Sequence, residues 1–207
     1  MKTFKQLIYS FAVFSITLLT YRIIKSESLS YIFLAWNLFL AFIPWWISNI
    51  LKRKEKLTII HLPVVAIWLL FLPNAPYILT DLFHLKPRPS LPLWFDLILV
   101  LSFALTGMIV FFKSLKDMLK LLTNRIPQLY VTIITPFIFW LVAYGLYLGR
   151  YLRFNSWDIV HPFRLINASF TILFEKDTIG FTCIFSVFMW FLYVMLTRFN
   201  QHEEVQS

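Results

Sequence analysis

The chain has 207 residues, of which 59% are hydrophobic, 19% aromatic and only 14% charged, with a mean hydropathy of +0.74. A soluble domain is about 45–50% apolar and about 25% charged, and a chain of this length cannot bury the surplus in one core, so part of its solvent must be lipid. The net charge of +9, from 19 Lys and Arg against 10 Asp and Glu, falls in short clusters between apolar runs. No nucleic-acid motif accompanies these clusters. They point to orientation in a membrane and contact with anionic head groups.

The apolar runs are unbroken, not alternating, which argues against a transmembrane β-barrel and for helices that satisfy their own backbone. The expected fold is therefore all-α: a polytopic transmembrane bundle of six spans with short interfacial helices, forming one integral membrane domain over residues 1–207. A span needs about 20 helical residues. The expected spans are residues 7–21, 29–51, 57–80, 91–112, 129–148 and 179–199.

The first span is the weakest, because Arg22 and Lys25 cut it short. An uncleaved span fits it better than a signal peptide, since the small-residue site Ser26–Ser28 follows two bases. Lys52, Arg53, Lys54 and Lys56 crowd the loop after span two, and by the positive-inside rule they put both termini in the cytoplasm. Residues 113–126 carry an apolar face opposed by Lys113, Lys116 and Lys120, as expected of the end of span four running along the membrane surface. Residues 161–174 are apolar but too short to span, and read as an interfacial or re-entrant helix. The single cysteine, Cys183, lies inside an apolar run and has no intramolecular partner.

Span three ends in LPNAPYILTDLFHL (residues 72–85). Pro73 and Pro76 remove backbone donors and disfavour a regular helix before them. Carbonyls freed at membrane depth need a buried or cavity-lining partner. Asn74, Tyr77, Asp81 and His84 are the polar groups at hand, and Asp81 and His84, three residues apart, share a face. Span five runs into GRYLRFNSWD (residues 149–158), with Arg150 and Arg153 as helix neighbours and Asn155, Trp157 and Asp158 beyond. Alternation of the spans brings both motifs out on the same, outer side. Asp96 lies about 8 Å into span four and Asn37 about 12 Å into span two at 1.5 Å per residue, so the unusual polar residues gather in the outer half.

The plain reading is a structural network in which Asp81, Asp96 and Asp158 neutralise Arg150 and Arg153 while Asn37 and Asn74 stitch broken helices. Intramembrane ionisable groups also mark functional sites. One functional reading is a site that binds or transports an anionic or lipid-linked small molecule, using the two arginines beside tyrosine and tryptophan. Another is a membrane-embedded hydrolase or transferase with Asp81, His84 and Asp158 as catalytic candidates, His84 acting as base. A metal version would recruit Asp81, His84, Asp158 and His161, although the spacing matches no established metal signature. A third is a non-catalytic subunit of an envelope complex. No Gly-rich phosphate loop, nucleophile elbow or zincin motif is present, and the sequence calls for no cofactor. Membrane lipids are the expected partners.

Residues 37–44 (NLFLAFIP), 72–85 and 149–158 resemble a family of bacterial membrane proteins known as domain of unknown function 1361. The resemblance covers spans two to six, most of the chain. It implies a bacterial inner-membrane location and picks out Asn37, Asn74, Pro76, Tyr77, Asp81, His84, Gly149, Arg150, Arg153, Asn155, Trp157 and Asp158. It implies no activity.

Overall fold

The computed structural model describes residues 2–53, 58–124, 126–153 and 171–206. Its helices are α1 (Lys2–Ser26), α2 (Phe33–Leu51), α3 (Leu62–Phe71), α4 (Asn74–Tyr77), α5 (Leu93–Thr123), α6 (Gln128–Tyr151) and α7 (Lys176–Gln206). Two 3-10 segments, Ile59–His61 and Ile78–His84, flank α3 and α4. Among the described residues, six segments are long and apolar enough to cross a membrane, with Ile59–His84 serving as the third. The protein is a multi-pass helical membrane protein, as its composition requires. The chain divides into two compact units, Met1–Leu121 and Leu122–Ser207.

Within unit 1 the first span is longer than its charges suggest. Arg22 does not end α1; its side chain is only 1% exposed and the helix continues to Ser26. A buried ion pair neutralises the charge that would otherwise stop a span. Glu27, in the left-handed region at φ 48°, then turns the chain out of the helix. That conformation is costly for a residue with a side chain.

The third span breaks where its prolines fall. α3 stops at Phe71, and after α4 the chain tightens into the 3-10 segment. Asn74 Nδ2 donates to the Phe71 carbonyl at 2.9 Å, and Thr80 Oγ1 donates to that of Tyr77 at 2.7 Å. Side chains thus take up carbonyls at the break. α2 packs on both α3 and α4. Gly107 of α5 meets the broken element as well, and a Cβ there would overlap the carbonyl oxygen of Ala75.

The other end of unit 1 is joined by a buried hydroxyl. Ser114 of α5 accepts from Trp68 Nε1 of α3 at 2.9 Å and donates to the Pro44 carbonyl of α2 at 2.9 Å. Residues 113–123 continue α5 without a break. At 31 residues, α5 is about 46 Å long and overshoots a hydrocarbon core of about 30 Å. Lys113, expected to snorkel, instead bonds Asp117, which also takes Lys52 Nζ at 3.2 Å.

In unit 2, α6 and α7 pack antiparallel: Phe139 meets Tyr193 and Tyr147 meets Phe181, each with ring centroids 5.7 Å apart. The proposed interfacial stretch 161–174 lies largely outside the described residues.

Candidate functional site

The ends of α1, α2 and the third span, together with the start of α5, bring unit 1's polar groups to one end. Asp96, in the first turns of α5, is 1% exposed. Arg22 grips it with both faces of its fork: Nε donates to Oδ1 at 3.0 Å and Nη2 to Oδ2 at 3.3 Å. Its Nη1 donates to Ser26 Oγ at 3.0 Å. The sequence reading has Asp96 neutralise Arg150 and Arg153 together with Asp81 and Asp158, but among the described residues its partner is Arg22. Positional counting treated Arg22 as a boundary charge. The signal that could have found it is its place on the same side of the membrane as Asp96, at the end of the first span where Asp96 begins the fourth.

Tyr31, in the turn between α1 and α2, covers this pair. Its ring is fully buried and carries two guanidinium groups, Arg22 at 4.3 Å and Arg88 at 4.9 Å. Burial, and then the neighbouring Asp96 carboxylate, pushes the Tyr31 phenol above its usual range. Its hydroxyl meets no hydrogen-bond partner of normal geometry among the described residues. Neither Tyr31 nor Arg88 was singled out from the sequence. A tyrosine between spans and a base in a KPRPS loop are ordinary membrane-edge residues.

Asp81 is the second buried carboxylate, 1% exposed. Asn37 Nδ2, from α2, donates to its Oδ2 at 3.0 Å. His84 Nδ1 lies 3.7 Å from its Oδ1, and the imidazole is 49% exposed. The sharing of a face by Asp81 and His84 is reinforced by the 3-10 geometry, in which residues three apart eclipse. The His84 ring also contacts Phe33 at 5.4 Å, and Phe33 contacts Tyr31 at 6.0 Å. An aromatic chain therefore joins the Arg22–Asp96 pair to the Asp81–His84 pair.

Asn74 binds its own break, and Tyr77 closes α4, half-buried. Arg150 is half-buried near the end of α6. Arg153 follows that helix, exposed and in the left-handed region at φ 58°. Both belong to unit 2. Asn155, Trp157, Asp158 and His161 lie outside the described residues. Of the four residues considered for a metal, Asp81 and His84 are the two among the described residues, and they lie together. Among the described residues there is no cluster of three or more His, Cys, Asp or Glu with metal-binding geometry.

A family model described as a protein of unknown function, DUF1361, matches residues 36–192. The chain belongs to that family. No curated protein and no solved structure matches the chain. The DUF1361 match takes in Asn37, Asp81, His84, Arg88 and Asp96 but begins after Arg22, Tyr31 and Phe33. The guanidinium that neutralises Asp96 and the ring that seats Arg88 therefore stand ahead of the matched region.

Proposed function

We propose that this protein binds an anionic, lipid-like ligand at the end of unit 1 where the broken third span emerges. Arg88 and His84 are its polar contacts, with Lys86 beside them. Arg88 carries the reading. Its guanidinium is seated on the Tyr31 ring and makes no hydrogen bond or ion pair among the described residues, whereas Asp96 and Ser26 occupy the donors of Arg22. A guanidinium held by cation–π contact with its fork unused suits a phosphate or carboxylate. His84 offers a half-exposed imidazole on the same aromatic chain, and Lys86 is exposed. The reading sets the protein in the bacterial inner membrane with both termini in the cytoplasm and this site on the outer side.

Thermal melting of the purified protein with added short-chain phosphatidylglycerol or phosphatidylcholine tests it. The anionic lipid is expected to stabilise by about 2.7 kcal/mol at a hundredfold excess over its Kd, with Arg88→Gln removing most of that gain. Equal stabilisation by both lipids would sink the proposal.

The Asp81–His84 geometry favours a second reading, a membrane-embedded hydrolase or transferase. Nδ1 faces the buried carboxylate, so Nε2 points away from it, as a general base requires. Incubation with a lipid extract should then consume a lipid species with the parent chain and spare it with His84→Gln. Consumption of no species at all counts against this second reading.

A further inference from the structure

α1 carries a groove of about 540 Å3 along one face, lined among the described residues by this helix alone, from Tyr9 to Ile24. Its floor is Val13, Ile16, Thr17 and Thr20, and it is open: Val13 is 64% and Ile16 40% exposed. The two threonines are exposed as well, yet their hydroxyls are already used. Thr17 Oγ1 donates to the Val13 carbonyl and Thr20 Oγ1 to that of Ile16, each at 2.9 Å, the ordinary recourse of a hydroxyl that faces lipid. The floor therefore asks its occupant for apolar contact and for no hydrogen bond.

Tyrosine rings mark both ends of this floor. The Tyr9 ring rests against Phe42 and Trp45 of α2, at 5.8 and 5.6 Å, and the Tyr21 ring against Phe95 of α5 at 5.5 Å. Each tyrosine is 46% exposed and larger than the floor residues between them. A partner helix, being stiff, would rest on the two rings and leave the floor uncovered. A flexible chain dips between them.

The dimensions favour the same occupant. From Tyr9 to Ile24 the groove runs about 22 Å, so its mean section is about 25 Å2. A helix about 10 Å across needs about 80 Å2; a single hydrocarbon chain fits. From Ile24 down to Val13 is about 16 Å, the depth of one leaflet in a core about 30 Å thick. Lys25 is exposed, follows Ile24 directly and lies one turn beyond Tyr21. It stands at the level of the phosphate of a lipid whose chain fills the groove.

We propose that the α1 groove seats one straight acyl chain of a membrane phospholipid, with Lys25 at its phosphate. The site uses neither His84 nor Arg88 and selects the chain, not the net charge of the head group. It therefore stands or falls separately from the anionic site built on Arg88.

Native mass spectrometry of the full chain tests it, with two phosphatidylcholines in competition, one bearing straight chains and the other methyl-branched phytanoyl chains. Phosphatidylcholine has no net charge, which leaves the anionic site out of the comparison. The parent chain is expected to retain the straight-chain lipid roughly tenfold over the branched one, because side methyls overfill a groove one chain wide. Thr17→Trp fills the floor and should level the two lipids. Lys25→Gln should retain about threefold less of the straight-chain lipid than the parent does. Equal retention of both lipids by the parent chain overturns the proposal. So does a preference that survives Thr17→Trp, or retention by Lys25→Gln at the parent's level. A dimer formed by the parent and lost with Thr17→Trp would put a second copy in the groove and overturn it too. Should Thr17→Trp not fold, Val13→Trp takes its place with the same expectations.

Discussion

Arg22 and Asp96 provide the sharpest test of how unit 1 is held together. Each is 1% exposed, and two hydrogen bonds of 3.0 and 3.3 Å join them between α1 and α5. Removing one partner strands a charge where water cannot reach it, a loss of about 3–5 kcal/mol. Replacing both with apolar side chains removes both desolvation penalties and should be nearly neutral. Arg22→Leu and Asp96→Leu are therefore expected to cost about 3–5 kcal/mol each, a fall in Tm of roughly 6–20 °C for a chain of this size. The double variant should return to within about 1 kcal/mol of the parent. Thermal unfolding in detergent, followed by circular dichroism, measures all four proteins. Single variants that each lose less than about 1 kcal/mol would show that the pair is exposed to solvent. A double variant as unstable as the sum of the singles would show that the residues do not interact.

The other predictions concern separate features. Gly107→Ala should destabilise by roughly 1–3 kcal/mol, because its Cβ would overlap the Ala75 carbonyl; an unchanged melting curve contradicts that crossing. Tyr31 titrates above its usual value of about 10 in the folded chain. Its contribution to stability is therefore constant below about pH 10 and is lost as pH rises further. Tm measured from pH 8 to 11 should fall more steeply for the parent than for Tyr31→Phe, and superimposable profiles refute the shift. Glu27→Gly should stabilise by about 1 kcal/mol, since glycine adopts a positive φ without strain; a loss on denaturant unfolding would mean that the Glu27 side chain contributes something else. Maleimide labelling in whole cells should reach Ser90→Cys but not Arg53→Cys. The reverse pattern inverts the membrane orientation.

Much of this molecule was legible in its sequence, because lipid exposure writes itself as long apolar runs. The break in span three was readable from Pro73 and Pro76, and so was the pairing of Asp81 with His84, since both depend on local backbone chemistry. The partner of Asp96 was not. Arg22 sits 74 positions away in a span whose charges looked like a terminus, and only packing of α1 against α5 reveals the pair. Tyr31 and Arg88 escaped for a related reason: a cation–π contact across two loops has no spacing rule. The expected use of Arg150 and Arg153 rested on the alternation of spans. Alternation assigns a side of the membrane but not a neighbour.

The most direct test of the central claim is native mass spectrometry of the detergent-purified protein, to identify what co-purifies. The account predicts an anionic lipid or lipid-linked species that is retained by the parent chain and lost in the Arg88→Gln, His84→Gln double variant, with the fold unchanged. Co-purification of neutral lipids alone, or an anionic species retained equally by the double variant, would contradict it.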